Sequence, residues 1–248
     1  MRTVVIGASS GLGRSISIGL AQRGARVALL ARRQERIEQA AVEAGAGAFA
    51  VTCDVTNEKS VHSAIEHAAS ELGGIDSVIY ASGVGPLSRL VDMDADTWRS
   101  TFDTNVIGAS LVTAAAVPYL TESRGVAIYL SSVSASNTPP WPGLGAYIVS
   151  KAALEKLVDA WRSEHPAIGF TRISVGDCAG GEGASMTEFP NSWDHALAAE
   201  VAPIWLARNY LTGALIEVEE LIKMVDTITR CGASASIPSI VLAPRTHS

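Results

Sequence analysis

Tyr147 and Lys151 stand one helical turn apart in Tyr147-Ile148-Val149-Ser150-Lys151, at the start of a stretch with helical spacing. Residues i and i+4 share a helix face, so a phenol and an ammonium are brought together there. An unperturbed phenol, with a pKa of about 10, is a poor proton donor and acceptor at neutral pH. A neighbouring ammonium, joined by a second positive charge on a bound group, favours the phenolate. Bringing the phenol to about 7 takes roughly 3 units, or about 4 kcal/mol. The pair therefore reads as an acid–base device. The plainer alternative is a surface tyrosine and lysine on an amphipathic helix.

A second constellation lies near the N-terminus, where an apolar run over residues 3–6 meets Gly7-Ala8-Ser9-Ser10-Gly11-Leu12-Gly13 and then a helix beginning near Arg14. A pyrophosphate approaches bare backbone N–H groups at a helix N-terminus, and glycine removes the Cβ that would stand in the way. The turn reads as a dinucleotide site, the alternative being a merely tight connection. Cofactor choice is legible one strand further on, in Val27-Ala28-Leu29-Leu30-Ala31-Arg32-Arg33. An acidic residue there would accept ribose hydroxyls and repel a 2′-phosphate, and none is present. Ala31 leaves room, and an arginine bonded to a phosphate is worth about 1.5–3 kcal/mol. NADP(H) is therefore expected in preference to NAD(H), with Arg32 on the phosphate and Arg33 solvating the following helix.

Positioning these groups takes a particular arrangement of elements. Strand patterns fall at residues 3–6, 26–30, 48–53, 77–81, 126–130, 171–175 and 239–242. Helical spacing falls at 12–22, 34–43, 59–72, 95–120 with a break, 147–163 and 218–229. Strands alternating with helices of this length imply right-handed crossovers and a parallel sheet. The expectation is an α/β fold, a single-domain Rossmann-like doubly wound parallel sheet of about seven strands flanked by helices over residues 1–248. Such sheets bind ligands at the carboxyl ends of their strands. The irregular segments 134–145 and 176–191 both follow strands, so both should rim that end.

Composition narrows the function classes. Of 248 residues 48% are hydrophobic and 18% charged, which supplies a large core and excludes a disordered chain. The net charge of -6 and the lack of any Lys/Arg run exclude a nucleic-acid binder. Cys53, Cys178 and Cys231 have no paired spacing, so neither a disulfide framework nor a zinc site is expected, in keeping with a cytoplasmic location. His62 and His67 face different sides of their helix, so no metal is expected. The N-terminal apolar stretch is too short for a signal peptide. The apolar stretch 106–120, broken by Gly108 and Pro118, falls short of the roughly 20 residues that span a bilayer, so no membrane is expected.

In combination these residues make the chain resemble the short-chain dehydrogenase/reductase family along nearly its whole length. The matches are the turn from Gly7 to Gly13, Asp54-Val55 after the third strand, Asn105-Val106 in the central helix, Ser131-Ser132, and Tyr147 with Lys151, all in the family's order. The resemblance implies a carbonyl–alcohol oxidoreductase. In it Tyr147 exchanges a proton with the substrate oxygen, Lys151 lowers its pKa and holds the nicotinamide ribose, and a serine positions the carbonyl. Asn105 matches a residue that helps support a proton-relay water. Gly7, Ser9, Ser10, Gly11, Leu12, Gly13, Arg32, Arg33, Asp54, Val55 and Gly83 would contact the cofactor with Tyr147 and Lys151. The family commonly forms homodimers or homotetramers, so a homo-oligomer is expected.

Departures from the family pattern matter. Its usual Asn-Asn-Ala-Gly reads Tyr80-Ala81-Ser82-Gly83 here, which changes the support beneath the site. Counting back from Tyr147 lands the serine on Ser134, whereas aligning on the strand end gives Ser132, the preferred choice. The Pro-Gly pair that packs on the nicotinamide carboxamide is replaced by Gly176-Asp177-Cys178-Ala179-Gly180-Gly181-Glu182-Gly183, with Thr187 downstream as a match to the family threonine. Cys178 reads as a small apolar filler. Trp141, Phe189 and Trp193 fall in the rim segments and suggest a partly apolar small-molecule carbonyl or alcohol substrate, with lid packing or a subunit contact as alternatives. A non-catalytic nucleotide-binding regulatory or scaffolding protein of the same fold is the rival reading.

Overall fold

A computed structural model describes residues 1–181, 189–231 and 234–245. Seven strands form one parallel sheet: β1 (Arg2–Ile6), β2 (Arg26–Ala31), β3 (Ala48–Thr52), β4 (Ser77–Tyr80), β5 (Val126–Ser132), β6 (Gly169–Val175) and, completing it, the strand Ser239–Leu242. Between them run α1 (Gly11–Gln22), α2 (Gln34–Ala44), α3 (Glu58–Leu72), α4 (Ala95–Phe102), α5 (Gly108–Ser123), the short α6 (Val133–Ser136) and α7 (Gly145–Glu164). Beyond β6 come a two-residue strand β7 (Cys178–Ala179), α8 (His195–Ala207), its partner β8 (Ile216–Glu217), α9 (Val218–Thr229) and β9, the Ser239–Leu242 strand. The order across the sheet is β3-β2-β1-β4-β5-β6-β9. The chain winds outward one way from β1 and then the other, so a crevice opens between the carboxyl ends of β1 and β4.

Both faces of the sheet are covered, which is why the strands read as continuous apolar runs. Alternate residues feed two cores. Val4, Ile6, Leu30, Tyr80 and Tyr129 pack with Leu72 of α3, Leu120 of α5 and Leu154 of α7. Val5, Leu29, Ile79, Ile128 and Ile173 pack with Ile16 of α1, Ile37 of α2 and Leu221 of α9. Each side chain of this size withdrawn from water contributes about 1.5–3 kcal/mol. Glu155, a buried carboxylate, accepts from Ser131 Oγ at 2.7 Å and Ser174 Oγ at 3.2 Å, tying α7 to β5 and β6.

Three elements differ from the sequence expectation. The central helical stretch runs from 95 to 123 without leaving helical geometry, long and apolar enough to cross a bilayer by length and composition. In this structure α5 instead buries Ala109, Val112, Ala116 and Leu120 in the core. The expected break is a wider π-helical turn, Asp103–Ile107. Periodicity does not predict α8, because Pro203 lies inside it. Asp194 is its N-cap, accepting the Leu197 N–H at 2.8 Å.

The Tyr80 departure finds its explanation here. Tyr80 is buried, and its hydroxyl donates to the Thr104 carbonyl inside the π turn. Gly108 makes the reach possible, since a Cβ there would lie 2.8 Å from the Tyr80 oxygen. The tyrosine thus braces the turn that carries Asn105. Tyr80→Phe is expected to lower unfolding free energy by about 1 kcal/mol, or roughly 2–4 °C in Tm. An unchanged melting curve would show the bond to be dispensable.

Candidate active site

Where β1 ends, Gly7 adopts φ +85° and donates its N–H to the Leu30 carbonyl at 2.8 Å. A Cβ on Gly7 would lie 2.7 Å from the Ser82 nitrogen, and one on Gly13 would lie 2.4 Å from the Gly7 carbonyl oxygen. Ser10 precedes α1 in extended conformation, and its side chain makes no capping bond to the first turn. The amino end of α1 is therefore a bare cradle of backbone N–H groups with no Cβ in the way, which is what an anion needs.

Arg33 does not simply solvate α2. Its guanidinium donates to Ser9 Oγ at 2.8 Å and Ser10 Oγ at 2.6 Å, spanning the cradle from the β2 side. Sequence reasoning missed this because the two serines lie over twenty residues upstream, and only the β1–β2 pairing brings them beside Arg33. Arg32 is exposed on the same rim, and no carboxylate stands at buried Ala31. Asp54 is a turn residue: its carboxylate accepts from Thr56 N at 3.0 Å and Thr56 Oγ1 at 2.8 Å. Burial pushes its pKa up, but the Thr56 bonds and the nearby Arg32 charge outweigh that and hold it below the usual carboxylate value.

At the other end of the crevice, α7 delivers Tyr147 and Lys151 over the end of β5. Lys151 is buried, donates from Nζ to the Leu130 carbonyl at 2.8 Å, and lies 5.8 Å from the Tyr147 ring centroid. Ser132 stands near the phenol and opposes the effect of burial on its pKa. Ser134 sits behind it, 2.9 Å from Ser132 Oγ, and also donates its backbone N–H to that oxygen at 3.2 Å. Asn105 stands apart from this group. Its Nδ2 donates to the Val84 carbonyl at 2.9 Å and Ser150 Oγ at 2.8 Å, and its Oδ1 accepts the Val84 N–H at 2.8 Å. It clasps the loop after β4 to α7, with Gly83 close against Lys151: a Cβ on Gly83 would lie 3.3 Å from Nζ.

Burial dominates the electrostatics. It pushes the Tyr147 phenol up to about 12, with Ser132 opposing it, and pulls the Lys151 ammonium down to about 8. In the protein alone, without the second positive charge, the phenol stays raised. Nζ is committed to a carbonyl oxygen, and desolvation outweighs its attraction for the phenolate. A lowered tyrosine requires a further positive charge.

Aromatic rings wall the reacting end. From Tyr147 the ring centroids run 4.8 Å to Phe189, 5.3 Å on to Trp193, 5.8 Å to Trp205, 5.5 Å to Trp141 and 5.5 Å to Tyr210. Trp193 and Trp205 donate their indole N–H groups to the Gly85 and Pro142 carbonyls. Trp141 and Trp205 form a small third core with Leu87, Leu144, Ile148 and Val201. Lid packing thus accounts for Trp141 and Trp193, while Phe189 stays partly exposed against Tyr147. Cys178 is buried, and burial pushes its thiol up to about 11. Glu182, Gly183, Met186 and Thr187 lie outside the described residues.

The cofactor residues expected from sequence line one cleft of about 1350 Å³ together with Ser132, Tyr147 and Lys151, whereas Asn105 lies behind its wall. A bare phosphate cradle, an arginine-rimmed end and a Tyr/Lys/Ser end in one crevice fit a dinucleotide laid across the carboxyl ends of the strands. A profile of the family described as short chain dehydrogenase matches residues 2–192. The chain belongs to the short-chain dehydrogenase family.

Relatives of this short-chain dehydrogenase agree in fold. It is 35% identical over 182 residues to glycine betaine reductase ATRR of Emericella nidulans, covering 71% of this chain and 14% of that protein. It is 32% identical over 179 residues to 11-beta-hydroxysteroid dehydrogenase A of Sesamum indicum, covering 70% of this chain and 51% of that one. The chain thus spans about half of one of these relatives and a seventh of the other. The crystal structure of a short-chain type dehydrogenase/reductase from Mycobacterium marinum superposes with a TM-score of 0.83 at 27% identity, covering 98% of this chain and 93% of that one.

A buried lysine carries a measurable stability signature. Lys151 falls from 10.5 to about 8 on folding, so between these values the unfolded chain binds the extra proton and stability rises with pH. Compared with Lys151→Met, which lacks this titration, wild type is expected to gain about 3 kcal/mol of unfolding free energy from pH 8 to pH 10.5. Denaturant unfolding of both proteins across that range checks this, and parallel pH profiles would contradict the burial of the ammonium.

Proposed function

We propose that this short-chain dehydrogenase is an NADP(H)-dependent oxidoreductase that interconverts a ketone or aldehyde with the corresponding alcohol. The observation that carries the reading is that Ser132, Tyr147 and Lys151, its Nζ 5.8 Å from the Tyr147 ring centroid, line the same cleft as the phosphate cradle. Bound NADP(H) supplies the hydride chemistry and, when oxidised, a positive charge. Backbone N–H groups at the start of α1 hold the pyrophosphate, while Arg32 and Arg33 bond the 2′-phosphate that no acid at Ala31 repels. Ser132 donates to the substrate oxygen, and Tyr147 gives its proton to that oxygen in reduction or takes it in oxidation. Lys151 supports the phenol and the ribose, and Asn105 acts as a positioning residue by fixing the loop that carries Gly83. The Phe189, Trp193 and Trp205 wall favours a substrate whose carbonyl is carried on an apolar, ring-bearing body. Ile107 and Val149, half-exposed on the α5 and α7 side, suit contact with a second copy in a homodimer or homotetramer.

NADPH oxidation across a carbonyl panel is the direct test. Binding of NADPH with no turnover of any carbonyl or alcohol would favour the regulatory or scaffolding reading instead. Tyr147→Phe is expected to lower kcat by about 10²-fold or more with NADPH affinity largely kept, because the phenol acts on the proton. Ser132→Ala should lower kcat by about tenfold or more and Ser134→Ala by much less, since Ser132 is the serine whose side chain acts on the phenol. The reverse ranking would move the role to Ser134.

Coenzyme choice is tested by dissociation constants at fixed ionic strength, because phosphate contacts are screened by salt. Ala31→Asp with Arg32→Ala should shift the affinity ratio by about 10²-fold towards NADH, combining lost attraction with added repulsion. Wild-type protein that binds NADH as tightly as NADPH would remove the NADP(H) assignment.

A further inference from the structure

Among the described residues lining the cleft, five are charged: Arg32, Arg33 and Asp54 at the β2–β3 end, and Lys151 and Asp177 at the reacting end. Asp177 has no role in the proposed chemistry. Its place is fixed by the sheet. Val175 pairs with Ser132 in the β5–β6 register, so two residues later Asp177 emerges beside the site serine. Three residues further, a Cβ on Gly180 would lie 3.3 Å from the Leu12 nitrogen, so the segment reaches the phosphate cradle. It therefore bridges the two landmarks between which the nicotinamide riboside of a bound dinucleotide must lie.

The backbone around Asp177 is held firmly. Gly176 donates to the Leu242 carbonyl at 2.8 Å, the Asp177 carbonyl accepts from Ile216 at 2.8 Å, and Cys178 and Ala179 pair with Ile216 and Glu217. No donor among the described residues bonds its carboxyl, and burial raises that group to about 6. A part-buried carboxylate without a partner attracts whatever cation can enter beside it. Oxidised nicotinamide is a cation and reduced nicotinamide is neutral, whereas Lys151, the other charge at this end, repels the oxidised form.

We propose that Asp177 makes this site discriminate the redox state of its nucleotide, its carboxylate favouring the oxidised, positively charged nicotinamide. The inference rests on the nucleotide-binding reading above and adds a preference to it: at neutral pH the site holds NADP⁺ more tightly than NADPH, which makes the bound nucleotide harder to reduce. The titratable groups that line the same cleft end as Asp177 are Tyr147 and Lys151 from α7 and the adjacent Cys178, and Glu217 on β8 lies in the strand paired with its neighbours. Tyr147, at about 12, and Cys178, at about 11, keep their charge states below neutrality. Lys151, at about 8, remains a cation there.

The test measures dissociation constants of NADP⁺ and NADPH at fixed ionic strength between about pH 5 and pH 7, in wild type and Asp177→Asn. Phosphate charges common to both nucleotides cancel in the ratio. For wild type, Kd(NADPH)/Kd(NADP⁺) is expected to rise about fivefold over this range, a one-unit lower carboxyl pKa in the oxidised complex. Calorimetry in two buffers of different ionisation enthalpy should show more proton release near pH 6 on binding NADP⁺ than on binding NADPH, the 2′-phosphate contributing equally to both. In Asp177→Asn the ratio should be flat and about tenfold lower at pH 7. Should that variant fail to fold, the wild-type pH profile and proton release still decide. A flat wild-type ratio, or one that Asp177→Asn leaves unchanged, overturns the assignment to Asp177 alone. Failure to bind either nucleotide overturns the nucleotide reading and this inference with it.

Discussion

A lysine ammonium enclosed beneath the site, with the Leu130 carbonyl as its bonded partner, constrains the whole reacting end. Removing a charge from water is expensive, and here the cost appears as the fall of Lys151 to about 8. The neighbouring elements are arranged to keep it in place. Glu155, one turn further along α7, is fastened to serines on β5 and β6, so the helix cannot slide along the sheet. Asn105 holds the loop after β4 against α7, and that loop presents a glycine where a side chain would crowd Nζ. Tyr80 in turn braces the wide turn that carries Asn105. Stability is given up at one position and recovered at several others, as is usual where a site must hold an unfavourable group.

Seen in this way, the loss of the family's asparagines at Tyr80 and Ala81 is a change of brace and not a loss of one. A phenol reaching through the core to a π-turn carbonyl spans a distance that a shorter amide does not. It needs a small residue opposite, which Gly108 provides. π-Helical turns release a carbonyl from the regular ladder, and here that carbonyl receives the tyrosine.

Most of the architecture was legible in the chain because parallel strands buried on both sides leave long β-branched runs, and the crossover helices between them carry strong periodicity. All seven sheet strands and the six long helical patterns lie where the spacing put them, within a few residues at their ends. What escaped was tertiary. Arg33 reads as a solvated charge until β1 and β2 are paired, whereupon it meets serines far upstream. Asp194 caps α8, a helix that Pro203 hides from a reading of periodicity. Spacing shows that a lysine is near the phenol but not that its nitrogen is turned to the Leu130 carbonyl. Asp177 stood in view within an irregular, glycine-rich stretch, but only the register of β6 against β5 shows that it emerges beside Ser132.

The row of rings that leads from Tyr147 through Phe189, Trp193, Trp205 and Trp141 has an optical consequence. Of the five tryptophans in the chain, three sit in this row, each within 6 Å of the next by centroid, so excitation absorbed by one passes readily among them. Their emission therefore behaves as a shared property of the wall, sensitive to an event at any point along it. A ligand that shifts Phe189 disturbs Trp193 directly, and the change spreads to rings with no contact to that ligand. The protein carries an intrinsic fluorescent reporter of its own substrate pocket, while Trp98 and Trp161, on α4 and α7 away from the row, supply a background that the pocket does not govern.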